Sequence, residues 1–231
     1  MGVTIALSII LLWLTHLAYL FGSSLSWETP ESYLHLALQG YLTTGLFITA
    51  HDAMHGAVSQ HRRLNHLLGA AACWLFGAMS YRQLLRQHAR HHAYPASDKD
   101  PDFCTASQNF WVWLGTFILR YATRSQVLTM AALYNIFEHL LHIPESRIWL
   151  FWMLPCFWGV LQLFYFGTYL PHKPPFDASM QPYFARTLRR HHFWAMLSCY
   201  FFGYHWEHHH SPNTPWWQLW KVKDTLQLTS R

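Results

Sequence analysis

Residues 3–22 contain no charged side chain, and at about 1.5 Å per residue a helix of that length crosses a ~30 Å hydrocarbon layer. Lipid satisfies no backbone hydrogen bond, so a run like this can cross a membrane only as a helix. Three more candidate spans follow. Tyr33–Ala50 is slightly short, and Ser125–Ile143 is weakened by Glu138, His139 and His142. Ile148–Leu170 is the strongest, with a kink expected at Pro155 and a stop at Pro171. A cleaved leader competes for the first run, but the run is long and lacks a basic region ahead of it. Leu64–Ser80 and Phe110–Tyr121 are shorter or interrupted, and read as interfacial or partly inserted helices.

Only 12% of the residues are charged, about half the share of soluble domains. The expected class is an all-α integral membrane protein: about four transmembrane helices, interfacial helices and a cytoplasmic histidine-rich cap, in one domain over residues 1–231. Of the 16 Lys and Arg, this layout leaves only Arg147 on the far side. The positive-inside rule then places the rest in the cytoplasm, and the expected location is the inner membrane. The net charge of +5 is joined to no nucleic-acid motif; a membrane surface or an acidic protein partner suits it better. Cys73, Cys104, Cys156 and Cys199 form no CxxC pair and read as core residues in a reducing compartment.

The histidines carry the chemistry. They cluster as 51-HDAMH-55, 88-HARHH-92 and 205-HWEHHH-210, each at a membrane exit, with His172 just past the fourth span. Residues three or four apart share a helix face, so each cluster aims its imidazoles one way. His51, His55, His88, His91, His92, His172, His205, His208 and His209 are the candidate ligands. One metal takes about four to six ligands, so this set implies two metals. The third cluster has an alternative register, 205/209/210, which the helical spacing disfavours. His16 and His35 read as core or interfacial hydrogen-bonding groups, and His61, His66, His191 and His192 as solvated. His139 and His142 belong near the far interface, and His210 overhangs its cluster. Asp52 and Glu207 are the carboxylates placed to hold histidine N–H groups; the alternative for both is a surface ion pair with Arg86, Arg90 or Arg189. Asn135 reads as a core residue bonding its own helix. Imidazole alone does not choose among Fe, Zn, Cu and Ni.

The order HDxxH, HxxHH, HxxHH after paired spans resembles the membrane di-iron oxygenase and desaturase superfamily. The stretches 100-DPDF-103, 161-LQLFYFGTYLPH-172, 203-GYHWEHH-209 and 215-PWWQLW-220 narrow it to the bacterial β-carotene ketolases. That resemblance implies two iron ions and O₂ as cosubstrate. It also implies a lipid-soluble carotenoid entering from the bilayer, with the C4 methylenes of β-ionone rings oxidised to ketones by two hydroxylations. β-Carotene would become echinenone and canthaxanthin, and hydroxylated rings are a further possibility. Phe164, Tyr165, Phe166 and Tyr169 are the expected substrate-lining residues, although aromatics also populate membrane interfaces, as Trp216, Trp217 and Trp220 are expected to. The chain holds no recognisable electron-transfer module, so an external donor is implied, ferredoxin by resemblance. Its docking face would be Arg62, Arg63, Arg82, Arg86, Arg189 and Arg190. Within the superfamily, a carotenoid hydroxylase or fatty-acyl desaturase competes; outside it, a metal transporter or a bis-histidine haem protein.

Overall fold

The computed structural model describes residues 1–189 and 191–229, and Arg190 of the expected docking face lies outside them. Among the described residues the structure is helical, with no strand. Helix α1 spans Gly2–Gly22, α2 Glu31–Met54, α3 Arg62–Gly77, α4 Tyr81–Ala93, α5 Phe110–Tyr121 and α6 Arg124–Asn135. The long helix α7 runs Glu145–His172; α8 is His192–Cys199, α9 His205–His210 and α10 Leu219–Thr229. Helix starts follow local chemistry. Asn109 accepts from the Trp111 and Val112 amides ahead of α5, and Thr123 accepts from Gln126 N ahead of α6.

Helix α2 is the centre of the bundle and packs against α1, α3 and α7. It is buried on all sides toward its end, at Leu46, Ile48, Thr49 and Ala50, so its last turn is held rigidly where His51 and Asp52 emerge. Among the described residues, two helices, α1 and α7, are long and apolar enough to cross a membrane. Over the expected third span, Ser125–Ile143, α6 runs on without interruption into a π-helical turn at Ile136–Leu140. Leu34, Leu119, Leu128 and Phe157 nevertheless lie on the outer surface, Leu119 at 79% exposure. Such a surface suits hydrocarbon rather than water.

Helix α7 does not break at Pro155. It widens instead into π-helical turns at Trp149–Met153 and Phe164–Tyr169. A proline clashes with the carbonyl four residues before it; for Pro155 and Pro171 those carbonyls belong to Phe151 and Gly167, and each lies inside a widened turn. The extra residue per turn rotates the following face, a common device at functional sites.

Candidate metal centre

Four elements deliver the nine histidines to one place. The last turn of α2 carries His51 and is followed by His55; α4 carries His88, His91 and His92; α7 ends on His172; α9 carries His205, His208 and His209. His55 and His88 approach to 2.7 Å, so the chain leaves and re-enters the same end of the bundle between them.

The nitrogens separate into two groups. In the first, contacts run from His51 Nε2 to His208 Nε2 (3.1 Å), on to His92 (2.9 Å), His88 (3.1 Å) and His55 (2.7 Å). In the second, His91 Nε2 lies 3.1 Å from His209 Nε2 and 3.5 Å from His205 Nε2, which are 3.2 Å apart. His172 faces this group, its ring centre 4.8 Å from that of His91 and its Nε2 buried without a partner. Each HxxHH run is therefore divided. The i, i+4 pair, 88/92 or 205/209, faces one group and the intervening histidine, 91 or 208, faces the other.

These spacings are those of ligands around a cation. Nitrogens about 2.0–2.1 Å from a metal lie about 2.9–3.4 Å from one another across its coordination edges. A ring nitrogen carries either a proton or a lone pair, so without a cation each N–H in the chain of contacts has to be shared between two acceptors. The orphaned Nε2 of His172 has the same resolution. Both groups fit a resident metal, and the donor set is imidazole throughout.

The environment keeps the imidazoles neutral, as ligands must be. Burial, reinforced by neighbouring imidazoles, holds His88, His205, His208 and His209 well below the ordinary histidine value, and brings His92 down to about 2. His91 differs. Burial pulls it down, but the charges of Asp100 and Asp102 outweigh that and lift it to about 8. Asp100 lies 3.0 Å from His91 Nδ1, and it also accepts the Ala96 and Asp102 amides at 2.8 Å. Its carboxylate fixes the tautomer with Nε2 facing the second group. Arg120, donating to the Pro101 and Phe103 carbonyls, and Trp113, donating to the Asp102 carbonyl, hold this loop in place.

The two carboxylates expected from the sequence sit differently. Asp52 Oδ1 is 3.6 Å from His51 Nδ1, while Oδ2 accepts the Trp216 amide at 3.0 Å, tying α2 to the C-terminal segment. Glu207 turns away from the histidines: it accepts the Thr187 hydroxyl at 2.8 Å, and its other oxygen is buried without a partner. Neither forms the ion pair with Arg86, Arg90 or Arg189 considered above. Asp100, inside the DPDF stretch, takes the role expected of them, and its acceptor-rich loop was the available signal. His210 stays outside, exposed and stacked on Trp206. His191 caps α8, and His192 bonds Tyr204 and Asp224.

A cavity of about 620 Å³ opens onto His51, His88, His91 and His205 and runs between α6 and α7. Its wall is mostly apolar, with Phe47, Phe76, Phe117, Met130, Met153 and Leu163 prominent. Phe164, Tyr165, Phe166 and Tyr169 are absent from it; the neighbouring Leu163, Gly167 and Thr168 line it instead. Phe164 packs into a separate cluster with Phe103, Trp113 and Leu114, and Tyr165 is 41% exposed. The widened turn at Phe164–Tyr169 sets this register. Asn135 lines the cavity and donates to Ala131 O at 2.8 Å.

Residues 28–147 match the family model described as fatty acid desaturase. The chain is 38% identical over 181 residues to a β-carotene ketolase of Paracoccus sp. (strain N81106 / MBIC 01143), covering 78% of this chain and 74% of that protein. It is 37% identical over 236 residues to a zeaxanthin 4-ketolase of Chlamydomonas reinhardtii, covering 96% of this chain and 53% of the relative. A β-carotene ketolase of Haematococcus lacustris is 38% identical over 200 residues, 82% of this chain and 62% of the relative. The chain thus spans between half and two thirds of the length of these algal relatives. No solved structure matches it. On the family model and the Paracoccus relative together, the chain belongs to the fatty acid desaturase family.

Proposed function

We propose that this chain is a β-carotene 4-ketolase whose nine histidines hold two irons. The observation that carries the reading is the apolar cavity that ends on both histidine groups, sized for a greasy end group and walled for one. The relatives' names, β-carotene ketolase and zeaxanthin 4-ketolase, support the same substrate class.

Two irons bound there would bind and reduce O₂ at the ring carbon. The protein's own groups do the rest. The cavity wall presents a ring methylene to the metals, and Phe202, packed edge-on against the His51 and His205 rings, shields them from water. Asp100 keeps His91 oriented. Each round takes a C–H, O₂, two electrons and two protons to C–OH and water; after the second, the geminal diol loses water to leave the ketone. The electrons come from an external donor of the ferredoxin class, docked on exposed Arg62, Arg63, Arg82, Arg86 and Arg189, none of which forms an ion pair among the described residues. The chain lies in the inner membrane by this reading, crossing four times with the histidines on the cytoplasmic side.

Product analysis in cells making β-carotene tests the reading. 4-Keto rings support it. 3-Hydroxy rings, new acyl double bonds, or an unchanged pool would overturn it in favour of a hydroxylase, a desaturase or a non-enzyme.

A further inference from the structure

The cavity's polar side chains are nearly all committed. Tyr121 donates to Asp102, Gln126 donates to Gly77 O, Asn135 donates to Ala131 O, and Cys156 donates to Phe76 O. The Tyr134 hydroxyl turns to Glu145. Thr168 differs. It lines the cavity at 4% exposure, and its hydroxyl makes no hydrogen bond among the described residues. Threonines in regular helices here bond back one turn: Thr43 to Gln39 O at 2.7 Å, Thr49 to Gly45 O at 2.8 Å, Thr116 to Val112 O at 2.8 Å. Thr168 lies in the widened turn Phe164–Tyr169, where that partner is out of register. It lies four residues before His172 on α7 and shares the cavity wall with His91 and His205 of the second group. A hydroxyl with no protein partner, in the wall of the cavity that also reaches His91 and His205, is free to bond a ligand held there.

Resting on the ketolase reading, we propose that Thr168 retains the alcohol intermediate, and so sets whether a ring leaves as alcohol or ketone. The first round converts a ring C–H to C–OH. The new hydroxyl is the one polar group on an apolar substrate, and a threonine hydroxyl can both donate to it and accept from it. Held there, the same carbon stays at the metals for the second C–H oxidation, which again consumes O₂, two electrons and two protons. Thr168 acts on partition between release and further oxidation; it is a specificity-determining residue.

The experiment compares wild type, Thr168→Val and Thr168→Ser in membranes supplied with β-carotene, reading the molar ratio of 4-hydroxy to 4-keto rings. That ratio is internal and independent of how much enzyme folds. Thr168→Val is expected to raise it roughly tenfold, the discrimination one hydrogen bond provides, and Thr168→Ser to stay within about twofold of wild type. Should the Val variant not accumulate, Thr168→Ala carries the same expectation. A second measurement uses metal-free protein, following tryptophan quenching by 4-hydroxy-β-carotene and by β-carotene. Wild type is expected to favour the alcohol and Thr168→Val to lose the preference. Normal ketone formation by wild type with an unchanged ratio in the Val and Ala variants overturns this proposal alone. Wild-type membranes forming no 4-oxygenated ring overturn the ketolase reading, whereas an alcohol preference lost in Thr168→Val still supports the site.

Discussion

The Nε2 of His92 lies 2.9 Å from that of His208, although 116 positions separate them. His92 also touches His88 at 3.1 Å, so it bridges its own helix and α9 in the first group. Replacing His92, His208 or any of the other seven by Ala is expected to abolish ketone formation. Metal content should fall from two irons per chain toward one or none, by elemental analysis of detergent-purified protein. His210→Ala, which removes an exposed ring stacked on Trp206 and bonded to the Tyr183 hydroxyl, should retain both metals and most activity.

Asp100 is the support for His91 that matters most. Asp100→Ala leaves a buried Nδ1–H without its acceptor and frees the ring to rotate. Loss of such a carboxylate costs about 10–100-fold in metal affinity. Competition with a chelator should show the second group weakened by that factor and Asp100→Asn, which keeps one acceptor oxygen, weakened less. Equal affinity in Asp100→Ala and wild type would exclude the role.

The cavity makes a prediction that separates it from the aromatic face first expected to line it. Met130→Trp fills the apolar channel and should lower kcat/KM for β-carotene at least about tenfold with iron content unchanged. Tyr165→Leu, on the outer face of α7, should change neither by more than about twofold. The reverse pattern would move the substrate to the other side of the helix.

Stability of the metal-free protein should depend steeply on pH. His88, His92, His205, His208 and His209 titrate below the ordinary histidine value in the fold. The unfolded chain therefore binds more protons than the native one once pH falls below about 6.5, and stability drops with it. His91, lifted to about 8, acts in the opposite sense: its stabilisation is full below about 6.5 and is lost as pH rises through 8. Five groups outweigh one. Each depressed histidine is worth about 1.4 kcal/mol per pH unit, or roughly 3–5 °C of Tm in a chain of this size. Thermal unfolding of chelated protein between pH 7.5 and 5.5 should show a loss several times that of one group; a flat profile would mean the imidazoles are not buried together.

Much of this was legible in the sequence because it rests on short-range periodicity. Charge-free runs mark α1 and α7, and three- and four-residue spacings mark the histidines, including the choice of His208 and His209 over His210. Division of each HxxHH run between two groups was not legible, since it depends on how α4 and α9 approach each other. Asp100 reaches His91 only because Arg120 and Trp113, some ten to twenty residues on, fix its loop. The cavity wall was misplaced for a local reason. Two prolines widen α7, and the face read at regular helical spacing is not the one turned inward. Glu207 sits in a histidine box, yet at the position whose side chain points from α9 toward Thr187.

Each histidine group draws on α4 and on α9, which lie about half the chain apart in sequence. A ribosome that has made only the first two clusters has made four of the five histidines of the first group but only one of the four in the second. The second group is complete only when His205 and His209 have followed the last membrane segment, and a metal held there would fasten α4 and α7 to the late helix α9.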